Sequence, residues 1–260
     1  MLLKIKNIIK KKNKIKIVSL TAYSKNIAKI LDKYCDITLV GDSLANVLYG
    51  MKNTHKLSLN TMLQHSISVR KAVKKSLMVV DMPKGTYSNP NQAKKNAKLI
   101  FKNTKCDAVK IESNYKNFKI IREITKAKIP VMGHIGFTPQ FKKKFKVEGK
   151  NNKETKKLLK EAILIEKAGA FSIVLECLTP DAAKLITKNL KIPTIGIGSS
   201  SHCDGQILVT DDILGMSGFY PRFVKKFADL NSIIEKAVKK YTKEVKTRKF
   251  PKNKNFLYGK

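Results

Sequence analysis

The sequence predicts an α/β chain folded as a (β/α)8 barrel, and three observations carry that expectation. Seven short apolar runs rich in β-branched residues recur along the chain. Such runs, apolar on both faces, belong to parallel strands covered by helices. Segments of helical period separate them, as the crossovers of a parallel sheet require. The length of 260 residues suits one large domain, 1–260, and no linker, repeat or low-complexity block divides it. Periodicity alone leaves an open doubly wound sheet as the alternative.

The elements follow in order. Leu2, Leu3, Ile5, Ile8 and Ile9 fall on one stripe of MLLKIKNIIKKKNK, which predicts an extra N-terminal helix. The strands are expected at Ile15–Tyr23, Ile37–Ser43, Leu77–Pro83, Ala108–Glu112, Ile129–Gly136, Phe171–Cys177 and Ile192–Gly198. A weak eighth strand falls near Ile213–Met216. Between them, Ile27, Ile30 and Leu31 share a helical face, as do Met62, Leu63, Ile67 and Val69. Ala93, Ala97 and Ile100 do the same, then Leu158, Leu159, Ala162 and Ile163. Asn60 and Thr179-Pro180 read as helix starts, the latter as an N-cap followed by proline in the first turn. Ile233–Phe250 reads as a basic amphipathic helix packed outside the barrel.

The net charge of +35, with a pI near 10.0, raises nucleic acid as a partner. Two features argue against it. Arginine, whose fork reads bases and phosphates, occurs only at Arg70, Arg122, Arg222 and Arg248. The lysines are scattered through every segment rather than gathered in one arm, so no specific nucleic-acid binding is expected. Cys35, Cys106, Cys177 and Cys203 stand singly, without the spacing of a zinc site or a disulfide framework. No run approaches the roughly 18 apolar residues of a membrane span. The expectation is a cytoplasmic protein that does not enter a membrane.

Polar residues concentrate where the apolar runs end. Asp42 and Ser43 close ITLVGDS, Asp81 closes LMVVDMP, and Lys110 and Glu112 close AVKIE. His134 sits in PVMGHIGFTPQ and Glu176 in SIVLEC. The carboxyl ends of barrel strands form the active-site mouth, so these residues should converge. Lys110 and Glu112, two apart on one strand, point to the same side, and Ile111 points toward the helices. Acids from three strands make an oxygen-only donor set suited to a hard cation such as Mg2+. Glu176, after Ile173-Val174-Leu175, should be buried with a raised pKa.

At these residues the chain resembles the ketopantoate hydroxymethyltransferases. LTAY, LVGDSL, DMP, VKIE, PVMGHIGFTPQ, VLEC, IPTIGIG, DGQILV and PRFVKKFA occur in that family's order, from about Leu20 to Leu230. The resemblance implies a (β/α)8 barrel that moves a hydroxymethyl group from 5,10-methylenetetrahydrofolate to 3-methyl-2-oxobutanoate, giving 2-dehydropantoate in pantothenate synthesis. It implies one Mg2+ per subunit on Asp42, Asp81 and Glu112, and substrate contacts from Asp42, Ser43, Asp81, Lys110 and His134. It implies Glu176 as proton acceptor, and a ring-based homo-oligomer, a decamer. The chain departs from the family's pattern at Ser24, Ala45, Asn46, Lys84, Ser199 and Ser200, and in a lysine-loaded loop at Lys142–Lys144. Two rivals remain at this point: a Mg2+-dependent lyase or aldolase acting on another 2-oxo acid, and a barrel that binds without catalysis.

Overall fold

The computed structural model describes residues 2–115, 117–142, 144–218, 220–252 and 255. Lys143, in the lysine-loaded loop, lies outside them. Two compact units are present, Met1–Thr210 and Asp211–Lys260.

The first unit is a closed barrel of eight parallel strands in sequential order. They are β1 (Ile17–Thr21), β2 (Ile37–Val40), β3 (Leu77–Asp81), β4 (Ala108–Glu112), β5 (Val131–Gly136), β6 (Ser172–Glu176), β7 (Thr194–Ile197) and β8 (Gly205–Leu208). Helix α1 (Leu2–Lys10) precedes the barrel. Among the described residues, seven α-helices lie between strands: α2 (Lys25–Leu31), α3 (Leu44–Val47), α4 (Leu59–Arg70), α5 (Pro90–Thr104), α6 (Phe118–Lys126), α7 (Asn152–Lys167) and α8 (Pro180–Asn189). The seven main strands fall inside the ranges expected from sequence.

The eighth strand does not. The expected Ile213–Met216 lies at the end of a short helix, α9 (Thr210–Ile213), and beyond it, while β8 lies at Gly205–Leu208. β8 escapes detection because it has four residues, starts with glycine and exposes Gln206. The glycine is required by closure. Gly205 pairs with Ile17, and a Cβ there would stand 2.5 Å from the Ile17 carbonyl oxygen. Helix α4 is capped by Ser58, whose Oγ accepts the Thr61 N–H, so the helix starts before the expected Asn60. Thr179 is the N-cap of α8 as expected, with Pro180 in the first turn.

Strand alternation sorts the apolar side chains into two clusters. Val40, Met78, Val80, Val109, Ile111, Val131, Ile135, Ile173 and Leu175 face outward against the helices. Ile17, Ile37, Leu39, Leu77, Val79, Ala108, Met132, Val174, Ile195 and Ile207 fill the barrel interior. Ile5 and Ile8 of α1 join the interior cluster, while Leu2, Leu3 and Ile9 of the expected stripe are exposed. Helix α1 is therefore a plug at the amino-terminal end of the barrel. Lys4 of the helix and Lys11 and Lys12 in the turn after it reach acids that stand just before strands. Lys4 contacts Asp107, Lys11 lies 2.5 Å from Asp36, and Lys12 lies 2.8 Å from Asp204.

The second unit contains α10 (Leu230–Lys246), capped by Asp229, whose carboxylate accepts the Ser232 N–H. This is the expected C-terminal helix, begun and ended a few residues earlier than Ile233–Phe250. No residue of α10 is buried.

Candidate active site

Toward the carboxyl ends of the strands, the interior turns from apolar to polar on the same alternation. Val79 is followed two residues on by Asp81, Ala108 by Lys110 and Glu112, Met132 by His134, and Val174 by Glu176. Asp42, Asp81, Lys110, Glu112, His134 and Glu176 are all buried. Register makes neighbours of residues distant in sequence: Asp81 pairs with Lys110, and Glu112 with His134. Asp42 exerts its charge on Asp81, Lys110, Glu112, His134 and Glu176 alike. The six side chains expected from sequence thus gather in one place. Ser43 joins them at the start of α3, its hydroxyl 2.8 Å from that of Tyr23.

The contacts are specific. Lys110 Nζ lies 2.6 Å from Asp81 Oδ1. The Asp42 backbone N–H donates to Asp81 Oδ2 at 2.9 Å. His134 Nε2 is 3.1 Å from Glu176 Oε2, and its Nδ1 is 3.8 Å from Glu112 Oε1. Both ring nitrogens lack an aligned hydrogen bond, as does the buried Thr138 hydroxyl. Polar atoms so placed in a protein interior are the ones a ligand can satisfy.

Glycine shapes the mouth at Gly136, which ends β5 with φ of +91°. A Cβ there would come within 2.1 Å of the Glu176 carbonyl oxygen, so only glycine lets the two strand ends approach.

Electrostatics follow from four buried carboxylates and one ammonium. Burial raises Asp81 to about 6, against the pull of Lys110 and with help from Asp42. Burial and the Asp42 charge hold Glu112 well above its ordinary range. Glu176 is raised to about 8 by burial, with Lys110 opposing. His134 is held far down by burial and by Lys110, so its ring is neutral. Burial works against the charge on Lys110, but Asp81, Asp42 and Glu112 outweigh it and keep the ammonium charged.

Raised carboxyl groups bind more protons in the folded than in the unfolded state, so stability falls as pH climbs through the window between the two values. For Asp81 that window runs from 3.8 to about 6, and for Glu176 from 4.5 to about 8. Protein stripped of divalent ions is expected to lose thermal stability steadily from pH 4.5 to 8. A melting temperature that rises over this interval would contradict the raised values.

The donor set fits a hard divalent cation. All four acids offer oxygen, and with one lysine they leave three negative charges uncompensated when ionised. Among the described residues, no three His, Cys, Asp or Glu side chains are grouped closely enough to hold an ion by themselves. Asp42 and Asp81 are adjacent, and a small hard cation needs only one or two carboxylates when substrate oxygens and water complete its shell.

Three buried residues escaped the sequence reading. Gln140, in the loop after β5, touches Asp42 and Glu112. Tyr87 donates to Gln140 Oε1 at 2.5 Å. Glu161 of α7 accepts from the Ser113 hydroxyl and the Tyr115 N–H, securing the loop after β4. Of these, Gln140 alone had a signal, as the last residue of PVMGHIGFTPQ. Three of the departures from the family's pattern have ordinary polar contacts, whereas the buried Ser199 hydroxyl has no hydrogen-bond partner among the described residues. Asn46 donates to the Met51 carbonyl, and Lys84 Nζ lies 3.3 Å from His55 Nδ1. Ser200 Oγ accepts the His202 N–H.

Comparison with known proteins bears on the family and the fold. Residues 3–253 match a family model described as ketopantoate hydroxymethyltransferase. A Pelagibacter ubique protein named 3-methyl-2-oxobutanoate hydroxymethyltransferase is 55% identical over 252 residues, covering 97% of this chain and 98% of its own length. One of the same name from Anaplasma marginale is 46% identical, over 96% of this chain and 92% of its own. Among solved structures, a 2,3-dimethylmalate lyase of the PEP mutase/isocitrate lyase superfamily superposes with a TM-score of 0.62 at 15% identity, over 98% of this chain and 92% of that one. A phosphonopyruvate hydrolase does so with a TM-score of 0.64 at 11% identity, with the same coverage. At such identities these two share the fold.

Proposed function

Because the chain belongs to the ketopantoate hydroxymethyltransferase family, we propose that it moves a one-carbon unit from 5,10-methylenetetrahydrofolate to 3-methyl-2-oxobutanoate. The products are 2-dehydropantoate, a pantothenate precursor, and tetrahydrofolate. The observation that carries this reading is the convergence of Asp42, Asp81, Lys110 and Glu176 at the strand ends. A site for this reaction must hold an oxo acid, stabilise negative charge on its oxo oxygen, and remove a proton from its branched carbon.

Asp42 and Asp81 would hold a Mg2+, with Glu112 supplying further negative charge beside them. When bound, such an ion supplies Lewis acidity at the oxo oxygen. Ser43 offers a hydroxyl to the oxo acid, and Lys110 places a fixed positive charge where the enolate oxygen develops. Burial means that this charge is screened little by water. Glu176 takes the proton from the branched carbon. Its raised pKa makes it a strong enough base, and Lys110 keeps part of it ionised near neutral pH. His134, neutral and with Nε2 3.1 Å from Glu176 Oε2, would line the substrate pocket beside the base. The resulting enolate carbon bonds to the folate methylene as one of its two C–N bonds breaks, and water cleaves the other, leaving its hydroxyl on the new carbon and releasing tetrahydrofolate.

Two assays test this. Formation of 2-dehydropantoate from 3-methyl-2-oxobutanoate should require the folate donor; turnover without it would favour the lyase or aldolase alternative. Asp81→Asn should weaken Mg2+-dependent binding of 3-methyl-2-oxobutanoate at least tenfold in calorimetry, since it removes a charge that holds the ion. Unchanged binding would make Asp81 a structural acid. We further propose that the enzyme works in the cytoplasm as a homo-oligomeric ring, a decamer, to be checked by sedimentation.

A further inference from the structure

Gln140 has a set of contacts that the proposed chemistry does not use. It is 1% exposed, and it joins the ends of three strands from a loop. Its side-chain Nε2 donates to Asp42 Oδ2 at 2.9 Å, beyond β2, and to the Met82 carbonyl at 3.0 Å, beyond β3. Its backbone N–H donates to Glu112 Oε2 at 2.9 Å, at the end of β4. Its Oε1 accepts from the Tyr87 hydroxyl at 2.5 Å.

The chemistry of these partners allows one orientation of the amide. Asp42 Oδ2 and the Met82 carbonyl are both acceptors, so the group facing them must be the NH2. A flipped amide would set its carbonyl against two acceptors in a buried place, with Nε2 turned to a hydroxyl. Tyr87 reinforces the choice, because burial and the charges of Glu112, Asp42 and Asp81 push its pKa up and keep the phenol a donor. The result is a rigid clamp. One oxygen of Asp42 and one of Glu112 are tied to N–H donors of the same residue, which fixes the rotation of both carboxylates. The Asp42 N–H does the same for Asp81 Oδ2.

We propose that Gln140, oriented by Tyr87, is the positioning residue that sets the carboxylates of Asp42 and Glu112 for a divalent cation. The inference rests on the reading of Asp42 as a cation ligand. A carboxylate that must be immobilised on binding loses rotational freedom then, whereas one already clamped does not. A merely structural Gln140 would stabilise the fold without changing the affinity of the folded protein for the ion.

The test is Mg2+ binding by calorimetry, and Mn2+ binding by electron paramagnetic resonance, on the intact protein without substrate. Gln140→Met keeps the length and removes both side-chain donors. Its Kd for either ion is expected to rise at least tenfold, while circular dichroism shows the barrel folded. Saturating Mg2+ should restore kcat to within about threefold, because the clamp acts before the chemistry. Should Gln140→Met fail to fold, Tyr87→Phe removes only the orienting phenol and should weaken the ion severalfold. An unchanged Kd in a folded variant overturns the proposal. Asp42→Asn separates the two readings: if it too leaves Kd unchanged, the ion site itself is misassigned. If it weakens Kd while Gln140→Met does not, only the clamp is wrong.

Discussion

Replacing Glu176 by Gln is expected to slow exchange of the branched-carbon proton of 3-methyl-2-oxobutanoate in D2O by roughly 10²-fold or more, the usual cost of losing a general base. The exchange needs no folate, so it isolates the first step. Gln keeps the shape of the side chain and can still reach the His134 ring, 3.1 Å from the carboxylate. It cannot take a proton. Mg2+ and the oxo acid should bind with little change, since Glu176 is the one carboxylate of the candidate site not assigned to the ion. In the parent protein the exchange rate should climb with pH as the Glu176 carboxyl, raised to about 8 by burial, gives up its proton. Added Mg2+ should move that rise to lower pH, because a nearby positive charge favours the carboxylate. Exchange that persists in the variant near the parental rate would transfer the role of base to another group, His134 first.

Lys110→Met is expected to be the most damaging single substitution for stability. The ammonium is buried with Asp81 at 2.6 Å, and no other lysine or arginine among the described residues pairs with that acid. Removing one partner of a buried ion pair costs about 3–5 kcal/mol, because the charge left behind has no compensation. The loss should depend on pH in a definite direction. Without Lys110, Asp81 rises further above its ordinary value of 3.8 and is protonated on folding. Near pH 4 the proton is already available and the penalty shrinks; at pH 8 it is full. Urea unfolding at the two pH values measures this. A loss below about 1 kcal/mol at pH 8, or one that ignores pH, would show that water reaches the pair.

The barrel and most of its site were legible because both rest on alternation. A strand that carries Leu77 and Val79 inward must carry Asp81 inward too, and the same holds for Lys110, Glu112, His134 and Glu176 on theirs. Tyr87 and Glu161 were not legible, and Gln140 only as the end of a motif, since loops and helices bring them in and no period marks their direction. β8 was missed because the property that closes the barrel, a glycine pressed on the Ile17 backbone, removes the apolar signal of a strand. The lysines misled in another way. Diffuse charge concealed Lys4, Lys11 and Lys12, each with its own acid across the barrel floor.

That floor has a consequence for how the chain is made. Lys12 of the opening segment meets Asp204, 192 positions later, and Lys4 meets Asp107, 103 positions later. Ribosomes add about 5–20 residues per second, so the first helix waits roughly 10–40 s for its last anchor. Throughout that interval Ile5 and Ile8 have no barrel to plug, and a short basic helix with an apolar stripe is poorly stable alone. The helix is thus secured only after some 192 further residues have been made, and its apolar stripe stays uncovered until then.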